Sequence, residues 1–277
     1  MIKIQNLNFH YKANQPVYSG LNMDLQPGNI YGLLGENGVG KTTLLKLISG
    51  LLFPTKGDVS TFDFEAKKRY PEMLEKIYFL PETYTLPKVK MSEYVKLYAS
   101  FYPKFDHQKL AEYVNVFGLS STKKISEFSH GQQKKWLLAF GLATNTELLL
   151  MDEPTNGLDI PSKGLFRQLL AGAADSEKTI IISTHQVRDL ENLIDPIIIL
   201  EHNQVLLNNS IDEISQKLKF VLQENQSENT LFSEQAIGGF WCVEPNSDST
   251  ESKVNIELLF NAAINNKELF KKIFING

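Results

Sequence analysis

The sequence predicts an α/β fold built on a largely parallel sheet, and three observations carry that reading. An apolar run, Ile30–Leu34, enters a glycine-rich loop, Gly35–Gly40, followed by Leu44, Leu45, Leu47, Ile48, Leu51 and Leu52 at helical spacing. That is a strand, a tight loop and a helix in succession. Between residues 147 and 200 short apolar runs alternate with helical patterns, which implies right-handed crossovers and a sheet covered on both faces. After about residue 209 the composition turns polar, rich in Asn, Ser and Glu between short apolar stretches. A length of 277 residues suits one large domain with a small appendage.

The elements follow in order. Residues 1–34 read as short strands: Ile2, Ile4 and Leu7 alternate roughly with polar residues, Gln15-Pro16 marks a turn, and Pro27-Gly28 opens the run at Ile30. The helix after the glycine loop is expected to stop at Pro54. The middle is helix-rich, with helices over Met91–Tyr102, His107–Phe117 and about Gly131 to Thr144, the last offering Trp136, Leu137, Phe140 and Leu142 to a core. Next come a strand (Glu147–Met151), a helix (about Pro161 to Ala174), a strand (Thr179–Ser183), a helix (Gln186–Leu193) and a strand (Ile197–Leu200). The tail holds Lys219–Leu222, Gly239–Val243, Ser252–Leu259 and an apolar-striped end, Leu258–Ile275. It reads as an α+β appendage of about 65 residues packed on the main domain rather than independent of it.

Composition narrows the function classes. Lys and Arg number 28 against 32 Asp and Glu, a net charge of −4, which gives no global attraction to a phosphate backbone and argues against a nucleic-acid partner. The 42% hydrophobic and 22% charged fractions exclude wholesale disorder and fibrous repeats. Cys242 is the single cysteine, so no internal disulfide forms, and no Cys/His cluster has metal-ligand spacing. The longest apolar runs, such as Trp136–Ala143, fall far short of the roughly 20 residues that span a bilayer. The N-terminal residues lack the pattern of a secretion signal. A cytoplasmic protein that reaches a membrane only through a partner is expected.

Two motifs carry chemistry. Gly35, Glu36, Asn37, Gly38, Val39, Gly40, Lys41 and Thr42 fit G-x-x-x-x-G-K-[ST], the phosphate-binding loop. Its glycines let backbone N–H groups approach phosphate oxygens, and the helix that follows adds its positive end. Lys41 supplies a point charge to the β- and γ-phosphates, and the Thr42 hydroxyl suits Mg²⁺. The second motif is Leu148-Leu-Leu-Met-Asp152-Glu153-Pro154, an apolar strand ending in two carboxylates at the sheet edge where doubly wound folds bind ligands. Asp152 would hold Mg²⁺ through water, and Glu153 would orient and deprotonate an attacking water. An acidic pair ending a strand is by itself an ordinary solvated turn. Following a phosphate loop by 111 residues, it points to nucleotide chemistry.

Further residues resemble the ABC-type ATPases. Phe128-Ser129-His130-Gly131-Gln132 resembles that family's signature sequence, usually L-S-G-G-Q, and lies 23 residues before Asp152 when counted from Ser129. Asn156-Gly157-Leu158-Asp159 resembles its D-loop, and Ser183-Thr184-His185 its switch-histidine strand end. Tyr11 stands 24 residues before Gly35, where the family places an aromatic that stacks on adenine. The resemblance covers about residues 1–205 and is strongest to the nucleotide-binding subunits of bacterial exporters. Read alone, Ser129 is equally a helix N-cap, Phe9 rivals Tyr11 as the stacking ring, and His185 is an ordinary structural histidine. The shared order of the motifs favours the functional reading.

The resemblance implies an ABC cassette of the P-loop NTPase fold over residues 1–209. Within it are expected an N-terminal antiparallel β subdomain and a helical signature subdomain at about 83–145, with 210–277 as an accessory region. It implies an ATPase using ATP and Mg²⁺, with Thr42, Asp152 and Glu82 at the metal and Glu153, His185 and Lys41 in catalysis. Tyr11, Gly35 to Thr43, Ser129, His130, Gly131, Gln132 and Asp159 would contact nucleotide. It further implies a head-to-tail dimer with itself or a paralogous ATPase subunit, the signature of one subunit facing the phosphate loop of the other. A separate transmembrane permease subunit would carry the substrate, with export the expected direction and the cytoplasmic membrane face the location. The aromatic-rich surface around Glu82–Tyr102 (Tyr84, Tyr94, Tyr98, Tyr102) is the expected docking groove, unless those rings merely pack the helical subdomain.

Two departures from the family pattern stand out. Glu82 occupies the place of a glutamine after Ile77–Pro81, so a carboxylate stands where an amide could also donate. His130 replaces the signature's first glycine and brings a ring that can approach a phosphate. The rival functions are a soluble ABC ATPase acting on ribosomes or DNA, and a small-molecule kinase. The first lacks the expected second cassette, basic linker or coiled-coil insertion, and the second has no use for a signature.

Overall fold

The computed structural model of the chain describes residues 1–120 and 122–274; Ile275, the end of the apolar-striped tail, lies outside the described residues. The first strands are longer than their sequence pattern suggests. β1 (Ile2–Lys12) and β2 (Gln15–Leu25) run antiparallel, so Gln15 and Pro16 open β2 instead of forming the turn. β3 (Ile30–Leu34) leads through the glycine loop into α1 (Lys41–Ile48). This helix stops well before Pro54 because Gly50 adopts φ 72°. The amides of Gly50 and Leu51 then bond back to Leu47 and Lys46, a Schellman closure that satisfies the last carbonyls. β4 (Lys56–Thr61) and β5 (Phe64–Glu65) complete an antiparallel sheet of order β2-β1-β4-β5. Val59 is the single aliphatic side chain in β4, too faint a pattern to reveal the strand.

The remaining core elements are α2 (Pro71–Leu74), β6 (Ile77–Leu80), α3 (Met91–Tyr98), α4 (His107–Val116), α5 (His130–Ala143), β7 (Leu148–Asp152), α6 (Ile160–Ala173), β8 (Thr179–Thr184), β9 (Ile197–Glu201) and β10 (Gln204–Asn209). The helix expected over Gln186–Leu193 is absent. A 3₁₀ turn at Val187–Asp189 stands there, continued by the bond from Leu193 N to Leu190 O. Val187, Leu190 and Ile194 have helical spacing, but the short link between β8 and β9 closes in i→i+3 turns.

The core sheet has the order β10-β9-β3-β8-β7-β6. All its pairs are parallel except β9–β10. Both faces are buried. Leu148 and Leu150 of β7 join the core shared with α1 and the antiparallel sheet, while Leu149 and Met151 join the core shared with α5 and α6. Burial on two sides is why these strands read as unbroken apolar runs. The neighbours β3, β8, β7 and β6 bring their carboxyl ends to one edge, and that edge carries the phosphate loop, Glu82, the Asp152–Glu153 pair and His185.

The tail contributes α7 (Ile211–Lys217), β11 (Leu218–Gln223), β12 (Phe232–Ala236), β13 (Gly239–Pro245), α8 (Ile256–Asn265) and α9 (Lys267–Phe274), with an antiparallel sheet of order β11-β13-β12. Ser252–Leu259 holds the approach to α8 and its first turn, capped by the Asn255 side chain on Leu258 N. Val243, Leu259 and Phe270 share one buried core with Ile199 and Leu206, so the appendage packs on the main body as expected.

Candidate active site

The phosphate loop needs glycine at two places for steric reasons. Gly38 and Gly40 hold φ of +83° and +114°, and a Cβ on Gly40 would lie 2.7 Å from the Tyr18 hydroxyl. Only glycine tolerates both the angle and the approach. Gly40 is also the N-cap of α1, whose first-turn N–H groups have no intrahelical partner and present partial positive charge. The Lys41 side chain folds over the loop, donating to Gly35 O at 2.7 Å and Glu36 O at 3.1 Å. Burial pulls its ammonium below the ordinary lysine value, and Glu153, Asp152 and Glu82 push it back up.

β7 and β8 assemble the acidic half. Thr42 Oγ1 donates to Asp152 Oδ2 at 2.6 Å, and the Ser183 hydroxyl donates to Asp152 Oδ1. Glu153 is buried and sits at φ 45°, a left-handed conformation that a non-glycine residue keeps only where the surroundings enforce it. Its Oε1 accepts from the His185 backbone N–H at 3.1 Å and lies 2.8 Å from His185 Nδ1. Its Oε2 is buried without a partner. Burying such an oxygen is unfavourable, and it leaves a lone pair free to accept from a water. A cavity of about 450 Å³ joins Gly35–Asn37 to His185 and to Phe260 of α8.

The other expected residues sort themselves around this centre. Tyr11 is 61% exposed with its hydroxyl 3.1 Å from Thr43 Oγ1, whereas Phe9 is buried edge-on beneath it; Phe9 is therefore excluded as a stacking surface. Glu82 follows β6 and accepts from Asn156 Nδ2 at 3.3 Å. Ser129 caps α5 by a reciprocal pair with Gln132, so the cap and the signature are the same residues. Asp159 likewise caps α6 through Ser162 N and pairs with Lys135 at 3.7 Å. The bonds from Ser162 hold its carboxyl below the usual range. Among the described residues no hydrogen bond or ion pair joins Ser129–Gln132 to Gly35–Thr43 of the same chain.

The His130 ring stacks on Tyr84 of its own chain at 5.7 Å and lies against Gly157 of the D-loop. One expectation changes. Tyr94 is buried among Trp136 and Phe140, so the expected aromatic groove is partly core. An apolar groove of about 640 Å³ lies alongside instead, with Leu51, Leu74, Phe79, Phe101 and Tyr102 in its walls.

The family model described as "ABC transporter" matches residues 18–156. The chain belongs to the ABC transporter family. It is 31% identical over 240 residues to the ABC transporter ATP-binding protein YtrB of Bacillus subtilis (strain 168), covering 86% of this chain and 82% of that protein. It is also 31% identical over 229 residues to the bacitracin transport ATP-binding protein BcrA of Bacillus licheniformis, covering 80% and 74%. A dimeric ATP-binding cassette solved in a post-hydrolysis state with ADP and Pi has the same fold, at a TM-score of 0.67 and 24% identity over 76% of this chain and 98% of that one. This ABC protein is an ATP-binding cassette ATPase.

One member of the site escaped the sequence reading. Lys134 is fully buried in α5 with its ammonium unpartnered and 5.3 Å from the centre of the Tyr84 ring. In the sequence it stands in Gln133-Lys134-Lys135, which looks like a solvated helix face.

Proposed function

We propose that this cassette is the ATP-hydrolysing subunit of a membrane exporter, closing as a head-to-tail dimer on two ATP molecules to drive a separate permease. One observation carries the reading: Glu153, fixed by His185 and holding one oxygen unpaired, stands directly after the Asp152–Thr42 pair at the mouth of the phosphate loop. That arrangement suits in-line attack of a water on a γ-phosphate.

Lys41 and the N–H groups of the loop and of α1 would hold the β- and γ-phosphates. Thr42 and Asp152, with Glu82, suit Mg²⁺, which would neutralise phosphate charge. The donor set is a hydroxyl and carboxylates, hard oxygen ligands that suit Mg²⁺. Glu153 would take the proton of the attacking water, and His185 would keep its carboxylate in place. Ser129, His130, Gln132 and Asp159 are exposed beside Ile160, which is 85% exposed; this surface suits the partner's nucleotide. Tyr11 would stack on the base.

The cassette is assigned to residues 1–209, with its helical subdomain at about 83–145, and the accessory region to 210–277. Among the described residues no helix is long and apolar enough to cross a membrane. In the proposed transporter the permease is a separate chain, docked in the groove of Leu51, Phe79 and Phe101. The bacitracin-transport relative supports transport, with export as the proposed direction, from the cytoplasmic face.

Glu153→Gln tests the core of this reading. ATP binding should persist while turnover falls by about 10²- to 10⁴-fold, the usual contribution of a general base, and light scattering should show an ATP-dependent dimer. Wild-type turnover in the variant would remove Glu153 from its role, and a monomer with ATP bound, permease present, would remove the dimer.

A further inference from the structure

Lys134 is 0% exposed, and no hydrogen-bond acceptor reaches its ammonium among the described residues. An ammonium is expensive to bury unless opposite charge or a ring face stabilises it. Among the described residues no carboxylate forms an ion pair with it within 4.0 Å; burial pulls its ammonium below the ordinary lysine value, and Glu82, Asp152 and Glu153, in that order, push it back up from further off. Tyr84, whose ring it faces at 5.3 Å, comes two residues after Glu82. The same ring stacks on His130, one helical turn before Lys134, and its hydroxyl donates to His130 O at 3.4 Å. The signature helix and the Glu82 loop therefore hold a built seat for one cation behind the acidic edge of the sheet.

We infer that Lys134 is a positioning residue for nucleotide binding, the buried counter-charge that allows a carboxylate at position 82 to stand beside the triphosphate. The inference rests on the ATP site proposed above and goes beyond it. The formal charges make the case. Glu82, Asp152 and Glu153 bring three negative charges to the site, against which stand the ammonium groups of Lys41 and Lys134. Without Lys134, three carboxylates face one ammonium, and an incoming polyanion meets a stronger repulsion. His130 and Tyr84 keep the cation in place by fixing the ring it rests on. The two departures from the signature and metal-loop patterns, Glu82 and His130, thereby belong to one device with Lys134.

A charge cycle on the full chain tests this, reading ATP affinity by equilibrium fluorescence with EDTA or with Mg²⁺, together with thermal melting. Lys134→Met should weaken metal-free ATP binding about tenfold, roughly 1.4 kcal/mol, and Mg²⁺-ATP binding less, because the metal brings its own positive charge. Glu82→Gln alone should tighten metal-free binding by clearly less than about tenfold, because the ammonium already offsets that carboxylate, so Lys134→Met should cost less in the Glu82→Gln background than in wild type. In the double variant E82Q/K134M the metal-free affinity should return close to wild type. Equal losses with and without Mg²⁺, or a Lys134→Met effect of the same size in the wild-type and Glu82→Gln backgrounds, would overturn the inference while leaving the ATP site intact. Failure of the wild-type protein to bind ATP would overturn the site itself. If Lys134→Met does not fold, Lys134→Gln takes its place. Recovery of its melting temperature by Glu82→Gln supports the coupling, and no recovery refutes it.

Discussion

Glu153 and Lys134 in the cassette and Glu244 in the appendage are all ionisable groups buried below a tenth of their surface, yet they are accommodated differently. In the appendage Glu244 Oε1 accepts from Gln223, Ser227 and Thr230, and Lys219 stands 3.8 Å from Oε2. In the cassette the ammonium of Lys134, one oxygen of Glu153 and the hydroxyl of Thr155 have no partner. Of the five such buried side-chain atoms among the described residues, these three gather at the ends of β6 and β7 or face them, and none lies in residues 210–274. A ligand or water at the proposed nucleotide site would satisfy these three, whereas Trp136 Nε1 and Glu201 Oε2 are the other two unmet atoms. Glu244 is satisfied by groups of the appendage itself, which suits a carboxylate that holds shape.

The comparison predicts its largest effect at Lys41. Lys41→Ala removes the cation that reaches over the loop and should weaken ATP binding about a hundredfold, the scale of a lost charge-assisted hydrogen-bond pair. Melting should hold steady or rise, since a desolvated ammonium is no longer buried. The matching variant in the appendage, Lys219→Ala, removes ion pairs to Glu244 and Asp248 and should leave ATP affinity unchanged. Titration calorimetry on the two side by side decides the matter. A Lys219→Ala protein that binds ATP as poorly as Lys41→Ala would break the division of labour between the regions.

A smaller effect, opposite in kind, is expected at Ile256. It is 1% exposed at the start of α8 and belongs to the core that the appendage shares with the sheet. Ile256→Val should cost about 0.5–1.5 kcal/mol of stability, the usual loss for one buried methyl group, with ATP affinity unchanged. Denaturant titration with and without ATP measures both quantities. A change in affinity would mean that α8, which brings Phe260 to the cavity beside His185, acts on the site as well as on the fold.

How far the sequence foretold this division follows from the range over which each feature is encoded. The phosphate loop and the Asp152–Glu153 pair were legible because their chemistry forces residue types into a few consecutive positions, where glycine geometry and strand ends leave a local trace. Strands β7, β8 and β9 were legible because burial on two faces leaves unbroken apolar runs. β4, with one aliphatic side chain, left no such trace, and the end of α1 hinged on Gly50 more than on Pro54. Lys134 was hidden by the phase of its helix. From Trp136 to Ala143 every residue of α5 is buried, so apolar periodicity could not tell which face of the preceding Gln-Lys-Lys turned inward. The pairing of Glu82 with Asn156, 74 positions apart, depends on strand order, which no local pattern records.

The mildest expected effect is a pH response confined to the appendage. The Ser227 hydroxyl is the chief cause that holds the Glu244 carboxyl below the ordinary glutamate value of 4.5, Gln223, Thr230 and Lys219 adding to it against the opposing effect of burial. A carboxyl whose folded pKa is depressed contributes stability that is fully present above the unfolded value and is lost as pH falls through the folded one. The window therefore opens below about pH 4.5, and neutral pH lies outside it. Hydrogen exchange read residue by residue should show β11 and β13 losing protection as pH falls below about 4.5, beyond the loss that protonation of other carboxylates causes throughout the chain. Glu244→Gln provides the reference, because it lacks the titrating group, and its β11–β13 ladder should show only the general loss. The strands β7 and β8 should respond alike in both proteins. An identical acid response of β11 and β13 in wild type and variant would show that the satisfied carboxylate contributes nothing to holding the appendage, and that its hydrogen bonds merely accompany a sheet held by Phe220, Val243 and Leu259.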